Sequence, residues 1–152
     1  MRVQVLAVAL IVSLGASAAA FSAPGGGVRT RPDLVINSLA NPPAIVSAGD
    51  GFSARDSTRN IGKATVRATV TRYYLSDGGH RTQVARRSVG LLKPGRSSAG
   101  SATAMVPEAL DTGAYSLVAC ADAPAAVMES NERNNCRTAA TRIVIKKPPP
   151  RV

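Results

Sequence analysis

Gly49-Asp50-Gly51-Phe52-Ser53-Ala54-Arg55-Asp56-Ser57-Thr58-Arg59-Asn60-Ile61-Gly62 is the stretch that decides the fold. Turn residues open it and Asn60-Ile61-Gly62 closes it; between them Phe52, Ala54 and Thr58 alternate with Ser53, Arg55, Ser57 and Arg59. A period of two sends alternate side chains to opposite faces, so the segment reads as a half-buried β-strand. The same grammar recurs on both sides. Upstream, 33–39 is a strand closed by Asn41-Pro42-Pro43. Downstream, 64–76 is the longest, with Val66, Ala68 and Val70 set against Thr65, Arg67 and Thr69, and a bulge near Thr71 to restore the pattern that Arg72 breaks. Asp77-Gly78-Gly79 is a hairpin turn into a strand over 83–91, and Lys93-Pro94-Gly95 turns the chain again. Ala102, Ala104 and Val106 mark the next strand, Tyr115, Leu117 and Ala119 another, and 137–145 the last.

No window shows helical periodicity. Seven short, punctuated strands predict an all-β fold, a seven-stranded antiparallel immunoglobulin-like β-sandwich, with a small closed barrel as the runner-up. A chain of 152 residues allows one domain, and with 3% aromatics and no Trp its core must be built from Val, Ile, Leu and Ala. Collagen and a long coiled coil are excluded by composition. Asp111-Thr112-Gly113-Ala114-Tyr115 has the form of a tyrosine corner, whose hydroxyl bonds nearby backbone.

Met1-Arg2, an apolar run over 3–14 and the small residues that follow have the pattern of a secretory signal peptide over 1–20, with cleavage after Ala20 or Ala18. No membrane span is expected after its removal, because the run is shorter than the ~20 residues a bilayer needs. Residues 21–32, with Gly25-Gly26-Gly27, read as a flexible linker, 33–145 as the sandwich, and 146–152 as a Pro-rich basic tail. A secreted or periplasmic location follows, and there an even pair of cysteines, Cys120 and Cys136, reads as a disulfide. Alternation places both sulfurs on the side of the last two strands away from the core, and closing such a loop removes roughly 3 kcal/mol of unfolded-state entropy. Two Cys with one His cannot complete a zinc site on their own.

The ordered set Asp33-Leu34-Val35, Pro42-Pro43, 49–52, Arg59-Asn60-Ile61-Gly62, Thr71-Arg72-Tyr73-Tyr74-Leu75-Ser76, Gly113-Ala114-Tyr115 and Glu129-Ser130-Asn131-Glu132-Arg133-Asn134-Asn135-Cys136 closely resembles the bacterial cell-adhesion-related domain, CARDB. The resemblance covers about 33–145, and the closing Glu-Ser-Asn-Glu-x-Asn-Asn run is its most specific part. It implies an extracellular seven-stranded immunoglobulin-like module with an adhesive role and no named ligand. Family members often carry a longer, acid-containing connection after the Tyr-Tyr-Leu-Ser strand. Here that connection, 77–82, holds one acid, so no metal role is expected of it.

Three constellations invite chemistry. Residues 122–135 gather Asp122, Glu129, Glu132 and three asparagines, hard oxygen donors of the kind calcium takes. The same side chains also hold long turns by bonding their own backbone. The turn is the preferred reading, and Asp122, Glu129 and Glu132 are the ligands a calcium ion would use; no other cofactor is expected. Charge is the second: the chain carries +10, or +9 once Arg2 is removed, and 55–96 hold ten Lys/Arg against Asp56 and Asp77. Such a balance attracts anionic surfaces. Arg55, Arg59 and Arg67 are the outward candidates for contact with a protein, an anionic polysaccharide or the envelope surface, on strands expected in different sheets. Specific nucleic-acid binding is not expected without an aromatic platform. Third, His80 beside Asp77 lacks any orienting support, so no enzyme is expected. The reading is a secreted or periplasmic, non-catalytic binding or adhesion module for a protein or glycan partner. The alternative is a structural or spacer component of a cell-envelope assembly.

Overall fold

The computed structural model describes residues 30–148 and 150, so the signal-peptide reading and most of the lead-in lie outside the described residues. Among the described residues eight strands form two sheets: β1 (Leu34–Leu39), β2 (Ile45–Ser47), β3 (Gly51–Asn60), β4 (Thr69–Ser76), β5 (Arg81–Val89), β6 (Ser97–Met105), β7 (Gly113–Cys120) and β8 (Cys136–Lys146). One sheet has the order β1-β3-β6, the other β2-β8-β7-β4-β5. The immunoglobulin-like sandwich stands, with eight strands in place of seven and one parallel pair, β2 with β8. Three residues after Pro42-Pro43 are too few to show alternation, which is why β2 was illegible. Arg31 and Pro32, assigned to the linker by composition, join the fold: Arg31 O accepts from Lys63 N, and Pro32 O from Ser130 N.

The strand expected over 64–76 starts only at Thr69. Its first half is irregular and makes one isolated bridge, Val66↔Leu92, outside the named strands. The backbone there is already committed. Lys63 N and Ala64 N bond Arg31 O, and Asn60 Nδ2 donates to Ala64 O at 2.8 Å and Leu92 O at 3.0 Å. The alternation therefore resets, and Thr69, Thr71, Tyr73 and Leu75 face inward. The register irregularity falls between Tyr73 and Tyr74 opposite β5, not near Thr71. Asn60 is fully buried and its Oδ1 accepts from Asp33 N and Gly62 N. A Cβ on Gly62 would lie 2.4 Å from Asp33 N, so only glycine lets the two backbones approach.

Leu34, Tyr73, Leu75, Val89, Val106, Leu117, Ile143 and Ile145 fill the space between the sheets. Within that core lies an ion pair. Arg87 of β5 donates from Nε to Asp56 Oδ1 at 2.5 Å and from Nη2 to Asp56 Oδ2 at 2.8 Å, and also to Ser98 O. Tyr73 Oη and Thr58 Oγ1 donate to the same carboxylate, and Thr58 shares a hydrogen bond with Thr71. Gly100 sits opposite Asp56 on β6, where a Cβ would come within 3.1 Å of the Arg87 side chain. Its missing side chain is the lane through which Arg87 reaches across.

Tyr115 Oη donates to Asp111 O at 2.9 Å, closing the expected corner. Tyr115→Phe should lower the unfolding free energy by on the order of 1 kcal/mol, read as a shift of the denaturation midpoint with the structure retained. An unshifted midpoint would mean that the hydroxyl contributes nothing beyond its hydration.

Candidate functional site

The segment between β7 and β8, residues 121–135, is anchored by the Cys120–Cys136 disulfide, whose Cα atoms are 4.0 Å apart. Both cysteines lie on the outer face of the five-stranded sheet, outside the main core cluster, as alternation requires. Cys120 is nonetheless buried, covered by a cleft lined by Tyr74, Arg81, Ala121, Asp122, Glu132 and Asn135 among others. Arg81 Nη1 lies 3.9 Å from Cys120 Sγ.

The acidic side chains of this segment turn to the protein's own donors. Asp122, 2% exposed, accepts from Thr69 Oγ1 through Oδ1 and from Val127 N through Oδ2, both at 2.8 Å. Asp122 (φ 41°) and Ala125 (φ 52°) take left-handed backbone, which non-glycine residues rarely adopt, and these bonds hold that turn. Glu132 Oε1 accepts from Glu129 N at 2.8 Å. Glu129, 3% exposed, accepts from Leu34 N and, at 2.7 Å, from Asn135 Nδ2, linking the segment to the start of β1. Burial pushes its pKa up to about 7; the two donors pull it down, and the charges of Glu132 and Asp122 add to the rise. Ser130 Oγ and Asn134 Nδ2 both donate to Asp33, a second tie to β1. Among the described residues no group of three or more His, Cys, Asp or Glu side chains is placed to hold a metal ion. Asp122, Glu129 and Glu132 share one segment, yet each carboxylate faces donors.

The three arginines are exposed but dispersed. Arg55 and Arg59 project from β3 on the outer face of the three-stranded sheet, while Arg67 stands in the irregular connection before β4. Arg67 is outward because it is in a loop, not because of strand alternation. Asp77 Oδ1 accepts from the backbone N–H groups of Gly79 and His80, both at 2.8 Å, which holds its carboxyl below the usual range. It thus braces the hairpin through backbone amides. Sequence reasoning missed the interior roles of Asp56 and Arg87. The signal existed: Asp56 falls in the inward slot between Ala54 and Thr58, and Arg87 two residues before the buried Val89.

Two packed sheets with a tyrosine corner, and a long β7–β8 segment tied back to the first strand, define an immunoglobulin-like β-sandwich module. The CARDB family model matches residues 31–139, and the chain belongs to that family of cell-adhesion-related β domains. Among solved structures it is similar to the CARDB domain of the PF1109 protein of Pyrococcus furiosus, described in complex with di-metal ions. The two share 23% identity over 76% of this chain and 94% of that one, with a TM-score of 0.55. It is equally similar to the 272–376 domain of a putative cell surface protein of Methanosarcina acetivorans, at 23% identity over 76% of this chain and 93% of that one, TM-score 0.55. At these identities the likeness speaks for the fold. No curated protein matches the sequence. Members of the family are typically extracellular, and no helix among the described residues is long and apolar enough to cross a membrane.

Proposed function

We propose that the protein is a secreted or periplasmic, non-catalytic binding module that recognises an anionic protein or glycan partner at the cell exterior. One observation carries the reading: burial removes more acids than bases from the surface, with Arg87 the buried cation beside Asp56. Asp56, Asp122 and Glu129 are buried, whereas Arg55, Arg59 and Arg67 are exposed, so the surface is more basic than the count of residues suggests. Exposed charges are screened over about 8 Å at physiological ionic strength. Affinity for a polyanion such as heparin should therefore fall steeply with added salt. Combined Arg55→Ser, Arg59→Ser and Arg67→Ser should weaken it without changing the melting temperature. Affinity indifferent to both salt and these substitutions would defeat the electrostatic reading.

The metal-bound Pyrococcus domain motivates a second arm. Calcium titration should leave the melting temperature unchanged, since a bound ion stabilises by mass action and the carboxylates of 122–135 already hold N–H and O–H donors. A rise that disappears in Glu129→Ala or Glu132→Ala would instead establish a cation site. The spacer alternative draws support from the Methanosarcina relative, which is one domain within a longer surface protein. It would be preferred if no envelope component were retained by the folded domain.

A further inference from the structure

On the outer face of the five-stranded sheet the registers set Arg86, Arg72, Cys120 and Cys136 in one row across β5, β4, β7 and β8. The next row is Gln83, Tyr74, Val118 and Thr138. Arg72 and Arg86 are thus directly opposed on neighbouring strands, an arrangement of like charges that destabilises a sheet. Among the described residues neither guanidinium has an acid partner, and the buried Nε of Arg72 has no acceptor. Arg81 brings a third guanidinium to the same row, beside Cys120. The two acids of the adjoining cleft form no ion pair with them: Asp122 is bonded to Thr69 and Val127 and Glu132 to the backbone of Glu129.

We propose that Arg72 and Arg86, with Arg81 beside them, bind an oxyanion substituent of an anionic polysaccharide, one sugar ring of which lies on Tyr74. Guanidinium forks match the planar or tetrahedral oxygens of carboxylate, sulfate and phosphate, and an anion between two of them converts a repulsion into two attractions. Tyr74, half-buried and lining the cleft, offers an aromatic surface one row away, and Gln83 opposite it offers an amide to sugar hydroxyls. The polysaccharide rests on the binding-module reading above; the anion site is argued from the sheet register and the guanidinium groups without acid partners.

The test uses the mature chain and the arginine side-chain signals of ¹H–¹⁵N spectra. Sodium sulfate added at constant ionic strength should shift Arg72 and Arg86 and leave Arg55 and Arg59 in place. A heparin-derived tetrasaccharide should shift the same arginines and the Tyr74 ring. Arg72→Gln and Arg86→Gln should each weaken tetrasaccharide binding about tenfold, the scale of one hydrogen bond to a charged group. Arg86→Gln should also raise the melting temperature by relieving the like-charge pair, which separates lost binding from lost folding. Sulfate shifts spread evenly over all surface arginines, or glutamine variants within about twofold of the parent, would overturn the site. So would polyglutamate binding these residues as tightly as the tetrasaccharide, which would put an acidic peptide there. Binding abolished by the Arg55, Arg59 and Arg67 substitutions but not by the glutamine variants would refute this site and leave the binding module standing. Sulfate shifts with no tetrasaccharide binding would overturn the polysaccharide and leave the binding module with a protein partner.

Discussion

Replacing Asp56 with Ala is expected to remove about 3–5 kcal/mol of folding stability, because it strands a buried cation between the sheets. The Arg87 side chain is 8% exposed and that of Asp56 fully buried, so water cannot substitute for the lost carboxylate. Tyr73 Oη would lose its acceptor as well. The carboxylate is also what pushes the Arg87 pKa up, and burial followed by the same hydrogen bond holds the Tyr73 hydroxyl above its ordinary value. Urea unfolding reads the loss as a lower midpoint at unchanged slope. The double substitution Asp56→Ala with Arg87→Met should cost less than the sum of the single ones, since removing both charges removes the desolvation penalty along with the attraction. A loss below about 1 kcal/mol in Asp56→Ala alone would mean that the pair is hydrated.

Stability is expected to decline as pH rises from about 4.5 to about 7, through Glu129. Its folded pKa of about 7 lies above the ordinary 4.5, so in this window the native state keeps a proton that the unfolded chain has released. Its contribution is therefore complete below 4.5 and lost as pH passes 7; at about 1.4 kcal/mol for each pH unit separating the two values, the loss is on the order of 3 kcal/mol. The depressed Asp77 acts with the opposite sign, and below 3.8, outside this window. Asn135 Oδ1 is buried without a donor, so a flipped Asn135 amide could accept the proton of a neutral Glu129. Melting temperatures across this range should slope downward in the parent and flatten in Glu129→Gln. A parent profile that is flat or rises with pH would place the Glu129 titration below the window.

Much of this architecture was legible because strands with one wet face record their orientation in every second residue. Phe52, Ala54 and Thr58 in β3, and Tyr115 and Leu117 in β7, all face inward as read. The disulfide position followed from the same rule. What failed were the places where backbone bonds or charge override hydrophobicity. Over 61–68 the chain is organised by Asn60 and by Arg31, partners a local window does not weigh. Asp56 and Arg87 occupy inward slots, but a charge in such a slot looks like an exception until its partner, 31 residues away, is known. The acidic segment was legible as a self-bonded turn; that Glu129 reaches Leu34, 95 residues earlier, was not.

The parallel pairing of β2 with β8 bears on how the domain would carry a pulling load. Asp33, ahead of β1, is bonded to Asn134 beside the start of β8, whereas Ser47 at the end of β2 pairs with Lys146 at the end of β8. The chain thus enters at one pole of the sandwich and leaves at the other. Tension applied through residues 31 and 147 would run along the strands, drawing β2 and β8 in opposite directions. The pairs Ile45↔Val144, Val46↔Ile145 and Ser47↔Lys146 would then be sheared together instead of unzipped one by one. Resistance would concentrate in this three-residue ladder and in the β1–β3 pairing, a rupture governed by the unfolding rate and not by the equilibrium stability. The smallest strand of the fold would then act as its mechanical clamp.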